Sequence, residues 1–134
     1  MTIPRRYRLL LVDDEPNLLL TYRLLLEREG YEVVACGTSR EAIAAIKKQK
    51  FDAVLCDYLL EEQHTGLEVI SAARQVDADI PAAVLTGYAT RETSEQAASQ
   101  LIEVIFKPVG IPGFLAAITS MLKKTKGPYE PGSG

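Results

Sequence analysis

The sequence predicts an α/β domain built on a doubly wound, five-stranded parallel sheet. Two observations carry that prediction. Five short apolar runs recur along the chain, each followed by a longer stretch with helical spacing, the pattern of repeated strand–helix units. The first run, Leu9–Val12, is apolar at every position, as a strand covered on both faces must be. The bulk numbers agree. A chain of 134 residues, 47% apolar and 25% charged, suits one globular domain and excludes a disordered, collagenous or coiled-coil protein. The net charge of −3 offers no broad basic surface to nucleic acid or to a membrane. No apolar run approaches the length of a membrane span or a signal-peptide core, so a soluble, cytoplasmic protein is expected.

Each element has its own local reason. After Leu9–Val12 comes polar Asp13-Asp14-Glu15, and Pro16 stands where a helix begins. Leu18, Leu19, Tyr22, Leu25 and Leu26 keep helical spacing until Gly30 ends it. Glu32–Cys36 reads as the second strand. Thr38 with Glu41 three residues on matches a capping box, and Ala42, Ile43, Ala45 and Ile46 form the apolar face behind it. Ala53–Cys56 is the third strand, ending at Asp57; a polar loop leads to a helix from about Gly66 to Gln75. Pro81 introduces the fourth strand, Ala82–Leu85, which ends at Thr86-Gly87. The stretch Thr90–Gln100 is expected to be helical but weakly anchored, since it holds almost no large apolar residue. Val104–Phe106 is the fifth strand, ending at Lys107-Pro108, and a last helix near Pro112 should bury Leu115, Ile118, Met121 and Leu122. Right-handed crossovers then give the strand order 2-1-3-4-5, the flavodoxin-like (βα)5 arrangement. In that order Cys36 and Cys56 lie two strands apart, about 10 Å, beyond disulfide reach.

A parallel sheet delivers every strand's C-terminal end to one edge, where ligands bind. Here that edge receives Asp13 and Asp14 from strand one, Asp57 from strand three, Thr86 from strand four and Lys107 from strand five. Each residue alone has a plain explanation as a cap, turn former or solvated charge. Their convergence does not. Three carboxylates crowded together repel, and one lysine cannot offset all of them. Oxygen donors with no His or Cys nearby favour a hard divalent cation such as Mg²⁺. The only histidine, His64, lies in the polar run Glu61-Glu62-Gln63-His64-Thr65 and reads as an exposed loop residue, which leaves no His-based metal site or triad. A cation, an ammonium, a hydroxyl and a nucleophilic carboxylate together suit phosphoryl transfer onto an aspartate.

From Arg8 to Lys124 the chain resembles the receiver domains of two-component response regulators. The resemblance rests on Leu11-Val12-Asp13-Asp14-Glu15, Leu55-Cys56-Asp57, Leu85-Thr86-Gly87 and Phe106-Lys107-Pro108, in that order and spacing. It implies a receiver over residues 7–125, with 126–134 a flexible tail or appended remnant. It implies Asp57 as phosphoacceptor, Asp14 as direct Mg²⁺ ligand, Asp13 acting through water, and the Leu59 carbonyl as a further ligand. Thr86 would be the switch hydroxyl and Lys107 the charge partner of the phosphoryl group. The implied partners are a histidine kinase or histidine phosphotransfer protein upstream, and downstream a protein target or an output domain outside this chain. A face of helices four and five could pair two receivers on activation. Such a domain would be no enzyme beyond its own phosphorylation and dephosphorylation.

The chain departs from the family's pattern in two places. Leu60 and Glu61 stand where Met-Pro is usual, and Gly66 comes one residue later than usual, so the loop after Asp57 is one residue longer. Val104 stands where an aromatic is usual, which makes Tyr88 the candidate ring for reporting the switch. Three other readings compete. A haloacid-dehalogenase-type phosphohydrolase needs Asp-x-Asp after its first strand, where this chain has Asp13-Asp14-Glu15. A flavodoxin would present a Ser/Thr-rich phosphate loop there instead of two aspartates. A receiver-like interaction module independent of phosphorylation would not need the complete acid–Thr–Lys set.

Overall fold

The computed structural model describes residues 6–87, 91–107 and 110–123. The expectations for Tyr88, Thr90, Pro108 and the 126–134 tail fall outside that range. Five strands form one parallel sheet: β1 (Arg8–Val12), β2 (Glu32–Cys36), β3 (Ala53–Asp57), β4 (Ala82–Thr86) and β5 (Glu103–Phe106). Their order is β2-β1-β3-β4-β5, as expected. Register is continuous at the edge that matters, with Val12 beside both Cys36 and Cys56, Asp57 beside Leu85, and Thr86 beside Phe106.

Between the strands run α1 (Pro16–Arg28), α2 (Ser39–Lys48), α3 (Gly66–Val76) and α4 (Arg91–Ser99), with α5 (Ile111–Leu122) last. The strands' period of two divides the core into two clusters. Leu9, Leu11, Leu55 and Leu85 face α1 and α5, meeting Tyr22, Leu26, Phe114 and Ile118. Leu10, Val12, Val54 and Val84 face the other side, meeting Ala42, Ile46, Val69, Ile70 and Ala97.

The local signals act as read. Pro16 opens α1, and Gly30, at φ 97°, takes the left-handed turn that ends it. Thr38 caps α2 by accepting the Glu41 amide at 3.0 Å, but the expected capping box is only half made, since the Glu41 carboxylate accepts the Gly37 amide at 3.4 Å rather than that of Thr38. One further expectation needs correction. Leu115 is only half-buried, and Phe114, which the sequence reading passed over, is fully buried and stacks on Tyr22 at 4.7 Å between ring centroids. Helix α5 is apolar on several faces, so only the sheet beneath it decides which of two neighbours points inward.

The weak anchoring of α4 is real: among its 9 residues only Ala97 is buried. Its C-terminal end is held instead by Arg74 of α3. That guanidinium donates to the carbonyls of Gln100, Leu101 (3.2 Å) and Ile80 (3.3 Å). No helix among the described residues is long and apolar enough to cross a membrane.

Candidate functional site

The C-terminal ends of β1, β3, β4 and β5 bring the expected residues to one crevice. Asp13 leaves β1 and is almost fully buried, at 2% exposure. Its Oδ1 accepts the Glu15 amide at 2.9 Å, a local turn that fixes the carboxylate before α1 begins. The cap of α1 is Glu15, which accepts the Asn17 amide at 2.9 Å. Asp14 therefore does not serve as the cap, and it stands exposed at the crevice mouth. Asp57 closes β3. Carboxylate oxygens of Asp13, Asp14 and Asp57 all lie within 4.8 Å of one another, a cluster that could hold a metal ion.

Lys107 supplies the opposing charge. Its Nζ lies 3.3 Å from Asp13 Oδ2 and 3.2 Å from Asp57 Oδ1, and its own side chain is largely buried. It starts at the end of β5, three strand spacings (about 14 Å) from β1. The long lysine side chain crosses part of that gap, and the Asp13 carboxylate reaches in to meet it. Thr86 lies beneath it, buried at the end of β4, and its carbonyl accepts the Lys107 amide at 2.8 Å.

The charges leave their mark on proton affinities. Burial pushes the Asp57 carboxyl above its ordinary value, helped by the negative charges of Asp13 and Asp14 and opposed by Lys107. Burial alone would lower the Lys107 ammonium, but Asp57 and Asp13 outweigh it and the net shift is upward. Both cysteines are free. Burial pushes the Cys36 thiol up to about 11 and the Cys56 thiol higher still, so neither supplies a thiolate at neutral pH.

The loop after Asp57 closes through its own backbone bonds. The Tyr58 amide donates to the Leu85 carbonyl and the Gly66 amide to the Tyr58 carbonyl, both at 2.8 Å. Between them Leu59 pairs with Thr65 across an antiparallel bridge, and the Leu60 amide donates to the His64 carbonyl at 2.8 Å. Glu62 and Gln63, at φ 51° and 66°, turn the tip through the left-handed region. Leu60 is buried in the core, whereas the Leu59 side chain is 63% exposed. His64 is exposed as expected, with Nδ1 2.8 Å from Glu68 Oε2. Gly66 packs so closely that a Cβ there would sit 2.5 Å from the Asp57 carbonyl oxygen.

Two neighbours escaped the sequence reading. Tyr22, taken only as part of the α1 stripe, lines a cavity of about 530 Å³ with Lys107, Gly87, Leu18, Ile111 and Phe114. Burial raises its phenol's proton affinity, and Lys107, Asp13 and Asp57 are close enough to act on it. The available signal was a polar-tipped ring in an otherwise leucine stripe, two turns after Asp14. Glu61, read as part of a polar run, accepts from the Ser39 amide at 2.8 Å and from the Ser39 hydroxyl at 2.5 Å. No short-range pattern links residues so far apart.

Fold and crevice define a (βα)5 domain with an acidic site at the carboxyl edge of its sheet. The chain belongs to the response regulator receiver domain family, whose family model matches residues 9–119. It is similar to the transcriptional regulatory protein GlrR of Escherichia coli (strain K12), 30% identical over 118 residues, covering 87% of this chain and 26% of that protein. It is also similar to the alginate biosynthesis transcriptional regulatory protein AlgB of Pseudomonas aeruginosa, 32% identical over 108 residues, covering 80% of this chain and 24% of AlgB. The chain thus spans about a quarter of either relative. Among solved structures, the CheY-like receiver domain protein of Methanospirillum hungatei superposes with TM-score 0.83 at 30% identity, covering 90% of this chain and 96% of that one. The non-phosphorylated HemR receiver domain of Leptospira biflexa superposes with TM-score 0.84 at 26% identity, covering 92% of this chain and 100% of that one.

Proposed function

We propose that this receiver domain is a phosphoacceptor switch in a two-component phosphorelay. Asp57 takes a phosphoryl group from a phosphohistidine on a histidine kinase or phosphotransfer protein. The observation that supports this best is one ammonium, Lys107, set between the carboxylates of Asp13 and Asp57 from two other strands. A structural ion pair needs one carboxylate; a site that must accept a phosphoryl group needs a cation poised beside the nucleophile.

In the step itself an Asp57 oxygen attacks phosphorus and the nitrogen–phosphorus bond breaks. Its electron pair returns to the imidazole of the donor, which takes up a proton. Asp13, held by the Glu15 amide, keeps Lys107 aimed at the crevice before the phosphoryl group arrives. Lys107 then pairs with one phosphoryl oxygen, and the Thr86 hydroxyl donates to another.

The carboxylates of Asp13, Asp14 and Asp57 make an all-oxygen set that suits Mg²⁺; Asp14 and Asp57 would hold the ion directly, Asp13 through water, and the Leu59 carbonyl would complete the set. When bound, the ion would supply the positive charge that lets an anionic phosphoryl group approach three carboxylates.

The phosphorylated state would be read by a protein partner or by an output domain in the same polypeptide, as the names of GlrR and AlgB as transcriptional regulators suggest. Pairing through α4 and α5 is one way to convey it. Two free, buried thiols suit the reducing cytoplasm. The domain would turn over no substrate other than its own phosphoryl group.

The test is incubation with acetyl phosphate, read by intact mass. One phosphoryl group should appear with Mg²⁺ and none with EDTA, and Asp14→Asn should slow incorporation at least tenfold. Incorporation that is indifferent to EDTA would contradict the proposed metal role.

A further inference from the structure

We infer that Glu61 is a positioning residue for the metal-binding loop, acting through the N-terminus of α2. The inference rests on the proposed Mg²⁺ site and adds to it the side chain that holds the loop in place.

The loop from Tyr58 to Thr65 must present the Leu59 carbonyl at a fixed distance from Asp57. The Leu59 side chain, 63% exposed, contributes no packing, and its backbone is held only within the loop, by the bridge to Thr65. Its neighbours supply the anchors. Leu60 sinks into the core on the α2–α3 side of the sheet. Glu61 then crosses to Ser39, the first residue of α2, which is itself 4% exposed.

The contact is two-pronged, with the Ser39 amide on one carboxylate oxygen at 2.8 Å and the Ser39 hydroxyl on the other at 2.5 Å. An acid at a helix N-terminus also meets the positive end of the helix dipole and amides that lack intrahelical partners.

The need for such a tether follows from the loop's own geometry. Its tip runs through two successive non-glycine residues in the left-handed region, Glu62 and Gln63. That conformation persists only where surrounding contacts over-determine it. The Leu60–His64 bond closes the neck of the tip, and Glu61 ties the tip to a helix packed on the sheet. Mg²⁺ demands near-ideal octahedral geometry, so a ligand carbonyl free to drift weakens binding.

The test is calorimetric titration of the whole protein with MgCl₂, alongside thermal melts in EDTA. Variants are Glu61→Ala, Glu61→Gln and Ser39→Ala, with Asp14→Asn as a control. The expected result is that Glu61→Ala and Ser39→Ala each weaken Mg²⁺ binding at least threefold, while Glu61→Gln, which keeps an acceptor, stays within twofold of wild type. If Glu61→Ala and Ser39→Ala lower only the melting temperature and leave Mg²⁺ affinity at the wild-type value, Glu61 is merely a helix cap and the inference is wrong. A wild-type protein that takes up no Mg²⁺, or an Asp14→Asn variant that binds as wild type, overturns the site assignment itself.

Discussion

Gly66→Ala is expected to destabilise the domain by about 3 kcal/mol, the upper part of the range for overpacking a tight site. The added Cβ would sit 2.5 Å from the Asp57 carbonyl oxygen and 2.8 Å from Cys56 Cβ. One of these is backbone, and the other belongs to a fully buried residue of β3, so no rotamer change relieves the clash. The N-terminus of α3 must move away from the sheet or the end of β3 must shift. Either movement displaces Asp57. Urea unfolding should therefore show a lower midpoint, and phosphorylation by acetyl phosphate should slow in the same variant. A wild-type midpoint would mean that α3 can retreat without cost.

Asp57→Asn should have the opposite effect on the metal-free protein. At neutral pH three carboxylates share the crevice with one ammonium. Removing the charge of Asp57 relieves repulsion from Asp13 and Asp14 but gives up its attraction to Lys107. The upward shift of the Asp57 carboxyl means that burial and repulsion win.

The pH dependence follows from the sign of that shift. A carboxyl with a raised folded value contributes its full stability below its unfolded value, near 3.8. That stability is lost as pH rises through the folded value. The two proteins should therefore melt together in acid and diverge as pH rises toward neutrality, with Asp57→Asn the more stable. Mg²⁺ should close or invert the gap, because only the wild type offers the full ligand set. A variant less stable than wild type in EDTA at pH 7 would mean that the Lys107 pair dominates.

Most of the architecture was legible because its signals are local. Pro16, Gly30, Thr38 and Pro81 mark boundaries through backbone chemistry that needs no tertiary context. The continuous apolar run of β1 already implied a sheet covered on both sides. The convergence of Asp13, Asp14, Asp57, Thr86 and Lys107 followed from topology alone, since parallel strands share an edge.

What the sequence withheld depends on contacts between distant segments. Phe114 and Leu115 are adjacent in an apolar helix, and only the sheet face below selects Phe114. Glu62 and Gln63 carry no turn signal; they adopt left-handed backbone because the Leu59–Thr65 bridge and the Glu61–Ser39 contact close the loop around them. That Lys107 bridges two carboxylates, rather than lying free at the edge, depends on the span its side chain can cross.

The central claim is that Asp57 receives the phosphoryl group, and one measurement addresses it most directly. Wild type and Asp57→Asn are treated with acetyl phosphate and saturating Mg²⁺, and intact mass is followed by peptide mapping of the modified residue. The account predicts one phosphoryl group on wild type, confined to the peptide containing Asp57, and none on Asp57→Asn. Equal incorporation by the two proteins, or a modified peptide that lacks Asp57, would contradict it.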